Sequence, residues 1–169
     1  MKVRGKVWKY GDELDTDVIY PGKYLVTFDP TEAGKHAMEG IDPDFHKKIS
    51  KGDILVAGRN FGTGSAREQA AVALKSAGIG AVIAESFARY FYRNAINVGL
   101  PVVEVKGIKG QIDEKDEIEV DLDRGVIRNI TRSKEFQFPP LPPFIMEILK
   151  VGGAVPYYKG RVGKNEMTS

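Results

Sequence analysis

One serine and one arginine stand two residues apart in a glycine-punctuated stretch, Arg59-Asn60-Phe61-Gly62-Thr63-Gly64-Ser65-Ala66-Arg67. Before it, Ile54 to Ala57 is a short apolar run with the length of a buried strand. After it, Ala66 to Ala77 is rich in helix formers, with Ala70, Ala73, Leu74 and Ala77 near helical spacing and Gly78 as a stop. A loop that enters a helix in this way faces the first helical N–H groups, which lack intrahelical acceptors, and so makes an anion site. Arg67 strengthens that expectation. A cation in a first turn opposes the helix dipole by roughly a few tenths of a kcal/mol unless an anion is shared between its guanidinium and the N–H groups. A carboxylate would suit such a site. Ser65 has two readings: it could act on the bound anion, or Ser65-Ala66-Arg67-Glu68 could be a capping box, with Ser65 as N-cap and Glu68 reaching back.

Several chemistries are excluded by spacing. No Gly-Lys-Ser/Thr follows for a P-loop, and Gly58, Gly62 and Gly64 do not make a dinucleotide fingerprint. A nucleophile elbow would need glycine at position 67, where Arg67 stands. The chain has no cysteine, which removes thiol nucleophiles, disulfides and any iron–sulfur cluster held by its own thiolates. His36 and His46 are too few for a zinc site, and Asp12, Glu13, Asp15 and Asp17 lack the glycine and glutamate offsets of a calcium loop. The acidic run reads as a turn with Asx-type hydrogen bonds, and no metal is expected on this chain.

The elements that must hold the loop follow a simple order. Val3 to Tyr10 reads as a first strand, and Val18-Ile19-Tyr20 ends at the breaker pair Pro21-Gly22. Thr31 is placed to cap a helix from Glu32 to near Gly40, and Pro43 to open another with Phe45 and Ile49 inward. Beyond Gly78, Ala81 to Ala84 is a second apolar run, Ser86 is placed to cap a helix from Phe87 to about Ile96, and Leu100 to Val105 is a third run. Strand–helix–strand–helix–strand over 53–105 predicts parallel βαβ units, with ligands beyond the carboxyl ends of the strands. Residues 106–138 change to hairpin strands, with Ile112 in one and Asp123-Arg124-Gly125 as a turn. A proline-rich connector leads to a helix near Pro143, and residues 158–169 read as a mobile tail of a single domain spanning 1–169. The 25 basic and 23 acidic residues are interspersed for a net charge of +2. That distribution offers no case for nucleic acid, and no apolar run is long enough for a membrane. Met1 to Gly5 starts no signal peptide, so the expected location is cytoplasmic.

Gly58 to Ala71, with Asp15-Thr16-Asp17-Val18-Ile19, Pro21-Gly22-Lys23-Tyr24-Leu25, Ser86-Phe87-Ala88-Arg89, Asn94, Asn97 and Gly99-Leu100-Pro101, resembles the swivelling β/β/α domain of the aconitase superfamily. Within it, the chain most resembles the free-standing small subunits of 3-isopropylmalate dehydratases, over residues 3–105. The resemblance implies an α/β fold with a parallel βαβαβ core plus added hairpin strands, and leucine-pathway hydro-lyase activity only in complex with a large subunit. That partner would carry a [4Fe–4S] cluster, no cofactor being bound by this chain, and the substrate would be a small dicarboxylate. By the same resemblance, Ser65 is the catalytic base and Arg67 the carboxylate ligand, aided by Gly64 and Ala66. Tyr24, Leu25, Val26 and Thr27 form the specificity loop, where Val26 replaces the arginine of aconitase and homoaconitase relatives. Ala66 replaces a second serine, and Gln69 replaces a frequent histidine. A homoaconitase-type subunit and a non-catalytic carboxylate-binding module stay open as alternatives.

Overall fold

The first strand, β1 (Lys2–Lys9), pairs in two directions in the computed structural model, which describes residues 1–166. Its Val7–Lys9 end runs parallel to β2 (Ile54–Ala57), and its Lys2–Lys6 end runs antiparallel to β5 (Glu117–Asp121). Beyond β2 lie β3 (Ala81–Ala84) and β4 (Val102–Glu104), both parallel. Beyond β5 lie β6 (Val126–Asn129) and β7 (Lys134–Gln137), both antiparallel. The seven-stranded order is β4-β3-β2-β1-β5-β6-β7. The expected α/β class, with a parallel βαβαβ core and added hairpin strands, is what the chain forms.

Alternation along the strands divides the interior in two, because successive side chains point to opposite faces. Leu55, Ala57, Val82, Ala84 and Val102 face one core. It is covered by α3 (Glu68–Ala77), through Ala70, Ala73 and Leu74, and by α4 (Arg89–Val98), through Phe91, Ala95 and Ile96. Ile54, Val56, Ala81, Ile83 and Val103 face the other, which they share with Ile118, Val120 and Ile127 of the antiparallel strands. Each fully buried Val, Leu, Ile or Phe side chain among them contributes about 1.5–3 kcal/mol of transfer free energy. Two glycines in left-handed conformation end α3 and α4: Gly78, the expected stop, and Gly99.

Several boundaries depart from the sequence reading. Helix α3 begins at Glu68, not Ala66, and α4 at Arg89, not Phe87. Neither has a side-chain cap. Thr31 caps nothing; Asp29 accepts from its N–H and hydroxyl, and a 3₁₀ turn at Ala33–His36 stands where a helix was expected. Two one-turn helices, α1 (Thr16–Ile19) and α2 (Phe45–Lys48), occupy the linkers. Ile112 is buried after a 3₁₀ turn, Ile108–Gly110, rather than in a strand. The connector leads into α5 (Pro143–Lys150) as its prolines predict. The stretch read as a mobile tail from 158 is helical as far as α6 (Ala154–Glu166), because Tyr157 is buried against α5 and bonds Glu147. Residues 167–169 of that reading lie outside the described residues.

Candidate active site

The acidic turn and the glycine loop are zipped together residue by residue. Asp12 accepts from the Arg59 N–H at 2.9 Å and from the Lys109 ammonium at 3.0 Å. The hydrogen bond from the Arg59 N–H, then that from Lys109, lowers its carboxyl to about 2. Glu13 donates its N–H to the Arg59 carbonyl, and its carboxylate accepts from the Asn60 amide. The Gly62 N–H bonds the Leu14 carbonyl at 2.7 Å, and the Thr16 N–H bonds the Thr63 carbonyl at 2.9 Å. Asp15 caps α1 by accepting from the N–H groups of Asp17 and Val18, the Asx-type turn the sequence suggested. From the other side, the Ser86 hydroxyl accepts from the Asn60 N–H rather than capping a helix, and the Phe61 and Ala88 amides complete the seam.

Beneath the loop, Phe61 is fully buried and meets Phe87 and Phe91 edge-on, at ring separations of 5.8 and 5.0 Å. Gly62 lies over Phe91 with φ +82°, and a Cβ there would come within 2.2 Å of that ring. Only glycine fits both the conformation and the space.

The zipper explains why Ser65 is not a cap. It holds the chain out of helical conformation through Arg67 (φ −95°, ψ 112°), so the helix starts only at Glu68. Ser65 is exposed, and its hydroxyl has no hydrogen-bond partner among the described residues. The capping-box expectation is therefore corrected. The N–H groups of Gly64, Ser65 and Ala66 likewise donate to no acceptor among the described residues. A run of free backbone donors next to a helix N-terminus is a concentrated positive field.

Arg67 points back across the zipper. Its guanidinium meets the Asp17 carboxylate at 3.1 Å, and the same carboxylate oxygen accepts from the Gly22 N–H at 2.8 Å. That N–H and then Arg67 lower the Asp17 carboxyl. Spacing did not reveal this pair; an arginine opposed to its helix dipole was the signal that some carboxylate must be near. Asp17 thereby ties Arg67 to the segment carrying residues 24–27. Tyr24 closes a 3₁₀ turn, Gly22–Tyr24, stacks on His36 at 3.7 Å and donates its hydroxyl to Glu39. Glu39 also bonds the His36 ring. His36 and Glu39, which motif reading did not associate with the loop, are thus its support. Leu25 is half-buried, whereas Thr27 is exposed and Val26 is 94% exposed.

Among the described residues, no three His, Asp or Glu side chains gather as a metal site, and the chain has no cysteine. No helix among them is long and apolar enough to cross a membrane.

The family model for the aconitase C-terminal domain matches residues 3–107. A 3-isopropylmalate dehydratase small subunit from Pyrobaculum calidifontis is 60% identical over 161 residues, covering 95% of this chain and 99% of the relative. An isopropylmalate/citramalate isomerase small subunit from Methanocaldococcus jannaschii is 52% identical, covering 97% and 98%. The crystal structure of a 3-isopropylmalate dehydratase from that organism superposes with a TM-score of 0.94 at 46% identity, over the whole of both chains.

Proposed function

This chain belongs to the aconitase C-terminal domain family, as one of the 3-isopropylmalate dehydratase small subunits, and from that premise we propose that it supplies half of the active site interconverting 2- and 3-isopropylmalate. In this reading one substrate carboxylate lies against Arg67 and the free N–H groups of Gly64 and Ala66. The Ser65 oxygen, as an alkoxide, takes the proton from the carbon beside that carboxylate while hydroxide leaves the neighbouring carbon. It returns the proton to the carbon that lost hydroxide when hydroxide adds to the carbon that lost the proton. A serine alkoxide needs a strong positive field, and the free amides, the α3 N-terminus and Arg67 all have the right sign. The single observation that carries the reading is a serine hydroxyl free of any internal partner, two residues from an arginine whose aim Asp17 sets.

The residues of this chain do not suit a [4Fe–4S] cluster, for want of thiolates. The cluster belongs, in this reading, to the large subunit, and no step on this chain runs through it. Two carboxylates with an apolar substituent fit the loop chemistry, because Val26 offers no cation for a third carboxylate. The Methanocaldococcus jannaschii relative's name gives a second reading its footing: a substrate range reaching to citramalate, with a smaller apolar group. The reaction would serve leucine biosynthesis in the cytoplasm.

The test is reconstitution with a cluster-loaded large subunit, following the unsaturated intermediate by its ultraviolet absorbance. Isopropylmalate turnover is expected, and Ser65→Ala should lower kcat by about 10²–10⁴-fold while the subunits still associate. Comparing kcat/KM for isopropylmalate, citramalate and homoaconitate ranks the substrate readings. Association and carboxylate binding without turnover of any of them would reassign the chain as a binding module.

A further inference from the structure

The C-terminal helices carry an apolar strip that the proposed chemistry does not use. Phe144, Val155, Tyr158 and Val162 are each half or more exposed. The last three fall at i, i+3 and i+7 of α6 and so make one stripe. The helix is anchored by Tyr157, buried edge-on against Phe144 with its hydroxyl on Glu147. Phe144 and Tyr158 border a groove of about 260 Å³ between α4, α5 and α6, floored by Ile96 and Ile148. Tyr92 and Arg93 of α4 line that groove and also a second cleft of about 450 Å³, walled by Phe87, Phe138 and Leu141. The strip therefore continues across α4.

Its border is cationic. Arg89, Arg93 and Lys159 have no ion-pair partner among the described residues, and Arg161 lies over the Tyr157 ring. Among the described side chains two carboxylates are nearby, and both are engaged: Glu104 accepts from the Phe87 N–H, and Glu147 holds Tyr157. Arg89 and Arg93 are four residues apart in one helix, a repulsive spacing that carboxylates from outside would relieve. A contiguous exposed apolar surface with a charged rim is the make-up of a protein interface. A second copy of this chain is the wrong occupant, since symmetric pairing would bring like-charged rims together.

We propose that this strip is a docking surface for the large subunit, which meets it with an apolar segment bordered by carboxylates. The inference rests on the small-subunit reading above. A stable interface covers about 800 Å² on each partner, so contact must run along both clefts rather than on α6 alone.

The test is a titration of large subunit with the full chain, comparing the unaltered chain, Tyr158→Asp and Arg93→Glu by calorimetry. Each substitution should raise Kd at least tenfold, with kcat retained once the large subunit saturates. Salt should raise the Kd of the unaltered chain more than that of Arg93→Glu. Both positions are exposed, and melting curves report folding; Val162→Glu replaces Tyr158→Asp if that variant does not fold. Unaltered affinity in both variants would overturn the proposal while leaving the small-subunit reading standing. An unaltered chain that binds no large subunit would overturn both, so the two failures are told apart by its curve alone. A dimer of the chain alone that Tyr158→Asp dissolves would give the strip to a second copy and overturn the proposal as well.

Discussion

A guanidinium near a helix N-terminus needs a counter-charge, and Arg67 finds it in Asp17 rather than within its own helix. The carboxylate leaves part of the guanidinium fork uncommitted and fixes its direction, which is the condition for gripping a second carboxylate with two parallel hydrogen bonds. Lysine at position 67 would keep the charge and lose the fork. Arg67→Lys should therefore lower kcat/KM for isopropylmalate about tenfold to a hundredfold, mostly through KM, since a charge-assisted hydrogen bond contributes about 1.5–3 kcal/mol. Steady-state kinetics of the reconstituted enzyme measure this directly. An unchanged KM would remove Arg67 from substrate binding. Ser65 could not have been assigned by spacing, because the capping box and the free hydroxyl share one sequence pattern. The pairing of residues 14–16 with 62–63 decides between them, as it keeps the chain extended through Arg67.

At the scale of elements, the loop is a shelf set on aromatic rings. Phe61 anchors it between Phe87 and Phe91, and Gly62 lets the backbone lie flat on Phe91. A methyl at position 62 would add left-handed strain to a clash with a buried ring. Gly62→Ala is expected to destabilise the chain by about 2–5 kcal/mol, measurable as a lower urea midpoint. A midpoint within error of the parent would show that the shelf can yield. Two of the strands, by contrast, were legible to the residue: Ile54–Ala57 and Ala81–Ala84 are apolar runs bounded by polar or glycine residues, and β2 and β3 match them. Helix starts were not legible. Ser65 and Ser86 both look like caps, but tertiary pairing leaves one hydroxyl free and gives the other to the Asn60 amide.

Across the whole molecule, the segment of residues 24–27, proposed above to select the substrate, is anchored at one end and open at the other. Tyr24 is clamped by His36 and Glu39, while Val26 projects into solvent. An apolar residue so placed discriminates substrates only when another surface covers it. Amide exchange at residues 25–28 should slow at least tenfold when large subunit and substrate bind, and exchange mass spectrometry reads that change. No slowing would remove the loop from the site. The three apolar runs were enough to determine the α/β class and the parallel core, because strand burial is a local property of the chain, and the family entered through the resemblance of the Gly58–Ala71 signature and its companion segments. The central place of β1, the zipper between residues 12–17 and 59–67, the Asp17–Arg67 pair and the exposed strip on α4 and α6 are decided only by the tertiary structure. Each depends on segments distant in sequence, and no local pattern records which of several possible partners a carboxylate, a hydroxyl or an apolar face will meet.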